Sequence, residues 1–326
     1  MLGTVALDSV VATLRDSRGL AAKRDIAAVT SRLALSAESV IAVGDDCAAI
    51  PDGDGYLLFA IEGLMNEFVE RDPWFAGWCG VMVNVSDVAA MGGRPIAVAD
   101  AVWAAGESGA APILDGLRAA AKAYGVPIVG GHTNTRTHGG QLAVGILGRA
   151  KRLLTSFDAQ PADRLIAAID LRGRYREPFS NWEAATDAPA TRLIADLDVL
   201  PSLAEAGLST CAKDISQAGL VGTAMMLGEC SRVGLRIEIN EVPRPPEIAL
   251  ERWLQTFPSY GFLVVAPRSK AADILGRFRH RGIAAADIGE ITADHRVVVA
   301  DGQSSETIWD FAHEPLIGCA PPVAVA

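Results

Sequence analysis

The chain has 326 residues, 50% of them hydrophobic and 21% charged, which supplies apolar material for ordinary buried cores and, at this length, for about two domains. Lys and Arg number 29 against 39 for Asp and Glu, a formal net charge of −10, so there is no surplus cation field for a phosphate backbone and no nucleic-acid partner is expected. No segment reaches the roughly 20 apolar residues that span a bilayer, and Met1–Arg15 carries Asp8 with no basic stretch ahead of an apolar run, so no membrane association and a cytoplasmic location are expected.

Apolar residues recur at helical spacing from Leu7 to Leu35 and are interrupted at Arg18-Gly19, which predicts two amphipathic helices. The apolar run Val40–Val43 then leads into Gly44-Asp45-Asp46-Cys47-Ala48-Ala49-Ile50. Adjacent carboxylates between apolar stretches need a cation or hydrogen bonds, and hard oxygen donors suit Mg²⁺; an Asp turn between two strands is the plain alternative. Pro51-Asp52-Gly53-Asp54-Gly55 lacks the closing Glu of a calcium loop and reads as a hairpin turn, followed by a strand over Tyr56–Ile61.

A helix is predicted over Trp74–Met91, where Asn84 and Asp87 stand three residues apart on one face of an apolar run. Such a pair needs partners, either a buried hydrogen-bond network or a nucleotide with its metal. A strand over Pro95–Trp103, a helix over Ala111–Tyr124 and strands over Val126–Val129 and Gln141–Arg149 complete a first α/β unit. Between the last two strands, Gly130-Gly131-His132-Thr133-Asn134 reads as a glycine pair and hydroxyl-rich turn, whose bare N–H groups suit phosphate oxygens.

The polar stretch Thr155–Asp163 marks the expected boundary between an N-terminal domain over 1–155 and a C-terminal domain over 156–326. The alternation then restarts with a strand over Arg164–Ile169, a helix over Leu220–Cys230, a strand over Leu235–Ile239, and strand, helix and strand from Tyr260 to Ile291. Ahead of the first of these helices, Cys211-Ala212-Lys213-Asp214-Ile215-Ser216 reads as a strand and charged turn. There Lys213, Asp214 and helix amides can converge on a metal-bound phosphate, or Asp214 or Ser216 merely caps the helix. The five cysteines form no CxxC pair and read as buried structural thiols. GxxxxGK[ST], GxGxxG after a strand, HExxH and GxSxG are all absent from the sequence.

Taken in order, Gly44-Asp45-Asp46, Asn84-Val85-Ser86-Asp87-Val88-Ala89-Ala90-Met91-Gly92, Gly130-Gly131-His132-Thr133 and Asp214-Ile215-Ser216 resemble the AIR (aminoimidazole ribonucleotide) synthetase/thiamine monophosphate kinase superfamily, over roughly residues 25 to 300. The chain resembles an AIR synthase-related branch of it. The resemblance implies a two-domain α/β (α+β) fold, with an N-terminal ATP/Mg-binding domain whose sheet pairs with that of a second subunit in a homodimer, and a C-terminal α/β domain. Asp45, Asp46, Asp87 and Asp214 are then the implied metal ligands, with Glu62 standing where the kinase pattern has Asp. Asn84, Gly130, Gly131, His132, Thr133, Asn134 and Lys213 are the implied nucleotide-facing residues, and Lys213 and His132 the implied catalytic assistants. The implied cofactors are ATP and Mg²⁺, and the implied reaction is phosphoryl transfer to a small molecule, as a kinase or as a synthetase/ligase that goes on to cyclise or dehydrate its product.

His132 departs from the kinase pattern, which has Asp there. Gln255–Phe262 replaces an acidic loop of the kinase and carries no acid, which disfavours thiamine phosphate as substrate. Arg172-Gly173-Arg174-Tyr175-Arg176-Glu177-Pro178-Phe179-Ser180-Asn181-Trp182 suits an anionic, planar substrate or is a solvated loop. These altered positions also motivate a reading from another class, a nucleotide-binding regulatory or scaffold protein without turnover.

Overall fold

The computed structural model describes residues 6–35 and 42–319; Val40 and Ile41, of the apolar run read ahead of Gly44, lie outside them. Helices α1 (Leu7–Arg15) and α2 (Arg18–Arg32) come first. The break between them falls before Arg18, because Ser17 accepts from the Leu20 amide and caps α2. Gly19, read as the interruption, sits inside the helix, where a Cβ would run into the carbonyl oxygen of Gln217.

There follow β1 (Ala48–Asp52), β2 (Gly55–Leu64), α3 (Asn66–Arg71), α4 (Pro73–Ala90), β3 (Gly93–Ala105), α5 (Gly106–Tyr124), β4 (Ile128–Asn134) and β5 (Arg136–Ala150). After them come β6 (Arg164–Ile169), β7 (Arg174–Tyr175), β8 (Asn181–Glu183), α6 (Ala190–Leu197), α7 (Val199–Glu205), β9 (Cys211–Asp214) and α8 (Gly219–Ser231). The rest is β10 (Gly234–Glu238), α9 (Leu250–Leu254), β11 (Phe257–Pro258), β12 (Gly261–Ala266), α10 (Arg268–His280), β13 (Ala284–Thr292), β14 (Arg296–Ala300) and β15 (Ser305–Asp310), with one 3₁₀ turn over Ile239–Glu241. The chain divides into two compact units: Asp46–Leu153 with Ala185–Glu205, and the described parts of Met1–Asp45, Leu154–Ala184 and Ala206–Ala326. Both mix helix with sheet, as the alternation of apolar runs predicts.

The first unit is built on a sheet of order β1-β2-β5-β3-β4, antiparallel except for the parallel pair β3 and β4. Pro51–Gly55 is the hairpin turn its composition predicts. Along β5, Leu142, Val144, Ile146, Gly148 and Ala150 are buried at every second position, the period of a strand with one covered face. The cover is α4, which starts from Asp72, whose carboxylate accepts from the Phe75 amide, and from Pro73 at its first position. Helix α5 crosses α4 backbone to backbone: a Cβ on Gly116 would run into the carbonyl oxygen of Trp74, and one on Gly77 into that of Ile113. The sequence places the start of α5 at Ala111, yet the helix begins at Gly106 and carries Pro112 inside, within its first two turns. Helices α6 and α7, from far along the chain, pack on α5 and α4 of this unit, and Arg94 binds Asp198 (2.6 Å) and Glu205 (2.7 Å).

The opposite face of this sheet carries Ile50, Phe59 and Ile61, all exposed, the last two at 52% and 66%. Phe59 pairs with Ala48 on one side and Leu147 on the other, so these apolar residues form one patch.

The second unit is a seven-stranded sheet of order β15-β14-β10-β13-β6-β12-β9, antiparallel apart from β10 with β14. Strand β12, between β6 and the edge strand β9, is buried at every residue, which is why Gly261–Ala266 reads as an unbroken apolar run. Helices α1 and α8 join its core through Val10, Val11, Leu14, Leu220 and Leu227. Strands β11, β8 and β7 form a separate three-stranded sheet. Buried Glu229 of α8 accepts from the amides of Leu316 (2.9 Å), Ile317 (2.7 Å) and Gly318 (3.2 Å), tying down the segment after β15. Among the described residues no helix is long and apolar enough to cross a membrane.

Candidate metal and nucleotide site

Asp46 and Asp87 belong to the first unit, Asp46 just ahead of β1 and Asp87 one turn from the end of α4. A carboxylate oxygen of one lies within 4.8 Å of a carboxylate oxygen of the other, with Asp87 buried and Asp46 half-buried. Two like charges this close favour a shared cation, and their donor set is the hard oxygen type that Mg²⁺ takes. One turn back on α4, Asn84 is fully buried and its Nδ2 donates to the carbonyls of Gly80 (2.7 Å) and Val144 (3.0 Å). Its Oδ1 is buried with no hydrogen-bond partner among the described residues. The amide is therefore half committed to an internal network and half left as an acceptor, a position open to a ligand donor or a cation.

Glu62 on β2 and Asp100 on β3 both pair with Val144 of β5, so the three side chains emerge in one row on the face that α4 covers. Asp100 escaped the sequence reading. Burial pushes its carboxyl up from 3.8 against one backbone hydrogen bond, and a Cβ on neighbouring Gly131 would run into its carbonyl oxygen. The available signal was its phase: it stands two residues after buried Val98 and two before buried Val102, on the covered side of an apolar strand.

Gly130, Gly131, His132, Thr133 and Asn134 are not the turn that their composition suggests. They continue β4, parallel to β3 and exposed throughout, and the reversal comes at Thr135. His132 lies 5.7 Å, ring to ring, from Trp103, and Asn134 Oδ1 accepts from the Arg136 amide (2.9 Å) to close the turn. Glycine content argued for a turn, but Gly131 is there for close approach to Asp100.

Asp45, Lys213 and Asp214 belong to the second unit. Lys213 and Asp214 are strand residues of β9 rather than a charged turn, and both are buried. Neither Asp214 nor Ser216 caps α8, whose N-cap is Ala218 without a side-chain bond; Ser216 Oγ is buried with no hydrogen-bond partner among the described residues. Asp45 accepts from the Ser156 amide at Oδ2 (2.8 Å) and from the Ser156 hydroxyl at Oδ1 (2.7 Å). Each oxygen has a second lone pair, so these bonds do not preclude a cation. Ser156 was also missed by the sequence reading.

Arg172 and Tyr175 of the arginine-rich segment are engaged by residues outside it. The Arg172 guanidinium makes two bonds to Asp170 (2.7 and 3.1 Å) and one to the Arg281 carbonyl (3.3 Å), while Tyr175 shares a hydrogen bond with Thr256 (2.6 Å) beneath the Arg252 guanidinium, 3.6 Å above its ring. All five cysteines are free and buried, and burial pushes the Cys211, Cys230 and Cys319 thiols up, away from the reactive thiolate.

Residues 44–150 match the family described as AIR synthase related protein, N-terminal domain, and residues 179–302 its C-terminal domain. Over 318 residues the chain is 43% identical to an uncharacterised protein of Synechocystis sp., across 96% of this chain and 98% of that one. The chain belongs to the AIR synthase related family. It is also 28% identical over 298 residues to the thiamine-monophosphate kinase of Pyrococcus abyssi, across 85% of this chain and 91% of that one. Among solved structures, the family fold is shared with T. maritima PurL complexed with ATP (TM-score 0.71, 20% identity, 86% of this chain) and with AaThiL complexed with AMPPCP and TMP (TM-score 0.66, 22% identity, 86% of this chain and 94% of that one). The chain spans 47% of that PurL chain. The first family match contains Asp45, Asp46, Glu62, Asn84, Asp87 and 130–134, and the second contains Lys213 and Asp214; Ser156 falls between the two.

Proposed function

We propose that this chain is a Mg²⁺-dependent, ATP-binding enzyme of the AIR synthase related type that phosphorylates an anionic small molecule. The observation that carries the reading is the close pair Asp46 and Asp87, with the unpartnered Oδ1 of Asn84 one turn away on the same helix. Asp45, Asp214 and Glu62 complete the ligand set that the motifs nominate, and 130–134 with Asn84 form the nucleotide-facing wall. Bound Mg²⁺ supplies charge neutralisation at the phosphate oxygens. Lys213 places a cation for the transferring group, and His132, exposed beside Trp103, offers an imidazole to the phosphates or the acceptor. In this reading 1–155 is the ATP/Mg-binding and dimerisation domain and 156–326 its C-terminal partner. The apolar patch around Phe59 and Ile61 supports a homodimer formed sheet to sheet.

The match to a thiamine-monophosphate kinase along 91% of its length favours a kinase outcome over a synthetase, and thiamine monophosphate is the specific alternative substrate. Against that substrate, Gln255–Phe262 carries no acidic residue, and Phe257–Pro258 is used as β11 beside β8. A regulatory or scaffold protein without turnover predicts nucleotide binding but no ADP with any acceptor.

Calorimetric titration with a non-hydrolysable ATP analogue, with and without Mg²⁺, tests the reading on wild type, Asp46→Asn and Asp87→Asn. Mg²⁺-dependent binding lost in both variants is expected. A folded wild-type protein that binds no nucleotide overturns it.

A further inference from the structure

We infer that Ser156 is a positioning residue that presets the Asp45 carboxylate and the Lys213 ammonium for a metal-bound nucleotide. The inference rests on the ATP reading above and deepens it.

Ser156 is fully buried. Its amide and hydroxyl hold the two oxygens of Asp45, and its Oγ accepts from Lys213 Nζ at 3.4 Å. The directions are fixed by chemistry. A carboxylate can only accept and an ammonium can only donate, so the single hydroxyl proton points to Asp45 and the oxygen lone pair faces Lys213. A neutral group thus bonds both to a buried cation and to an anion 168 positions distant in the chain. The Ser156 carbonyl in turn accepts from Ser231 Oγ at 2.7 Å, so the hub is anchored to the end of α8.

The backbone on the other side of Asp45 is fixed as well. Gly44 has φ +121°, and a Cβ there would run into the Cys319 side chain and come within 3.1 Å of Cys230 Sγ. Gly44 therefore fixes where the Asp45 side chain starts, and Ser156 fixes where its oxygens end. Presetting a charged side chain removes the ordering that ligand binding would otherwise have to impose.

The test compares wild type, Ser156→Ala, Ser156→Thr and Ser156→Cys. The readouts are the Mg²⁺ concentration for half-maximal binding of a non-hydrolysable ATP analogue and the thermal midpoint. Ser156→Ala is expected to raise the half-saturating Mg²⁺ concentration by about tenfold, in the range seen when a ligand's supporting hydrogen bond is removed. Ser156→Thr, which keeps the hydroxyl, is expected to restore it. If the alanine variant does not fold, Ser156→Cys keeps nearly the same volume with a weaker donor and must show the same shift. A lowered thermal midpoint with unchanged Mg²⁺ dependence overturns the inference and leaves the ATP reading standing. Absence of Mg²⁺-dependent binding in wild type overturns both.

Discussion

Asp87 and Asp100 sit on neighbouring elements of one unit and call for opposite outcomes. Asp87→Asn removes a charge from a carboxylate pair and is expected to weaken Mg²⁺-dependent nucleotide binding by roughly 100-fold, read by calorimetry, with the fold intact. Asp100 is ionised at a cost, since burial raises its carboxyl above 3.8. The native state then holds that proton more tightly than the unfolded chain, so stability falls as pH rises through the raised value. Asp100→Asn should therefore melt above wild type at pH 7, with the gap closing as the pH is lowered towards the ordinary carboxylate range; a constant gap would assign the effect to packing. Asn84, Asp87 and the Asp45-Asp46 pair were legible in the sequence because each breaks an apolar pattern locally. Asp100 and Ser156 were not, because their roles come from tertiary neighbours: Ser156 meets Asp45 across 111 residues, and nothing local distinguishes it from any loop serine.

Helix α4 was legible from composition alone, but its contact with α5 was not, since Gly77 and Gly116 read as flaws in a helix until the crossing is seen. Gly116→Ala is expected to lower the denaturation free energy by about 3 kcal/mol, measured by chemical unfolding, because the opposing atom is a backbone carbonyl that cannot rotate away. Strand β4 shows the converse failure. Its glycines and hydroxyls imitate a turn, and only the parallel pairing to β3 makes them a strand. At the far end of the chain, Glu229→Gln replaces one accepting oxygen with a donor facing backbone N–H groups. A loss of about 2 kcal/mol is expected, together with faster hydrogen exchange at the amides of Leu316, Ile317 and Gly318.

For the whole molecule, two α/β units were foreseeable from the alternation of apolar runs, whereas the return of Ala185–Glu205 to the first unit was not, because no local pattern says which sheet an amphipathic helix will cover. Phe59→Asp with Ile61→Asp is expected to convert a dimer to a folded monomer in light scattering after size exclusion; an unchanged mass would remove this face from the assembly. The threading of α6 and α7 also bears on biosynthesis. The five-stranded sheet leaves the ribosome with part of α4 and α5 bare, and its cover is translated about fifty residues later, a delay of roughly 3–10 s at ordinary elongation rates. During that interval the nascent chain presents an apolar surface to chaperones, so a pause or frameshift between Leu153 and Ala185 should yield an aggregating fragment rather than a free-standing half-protein.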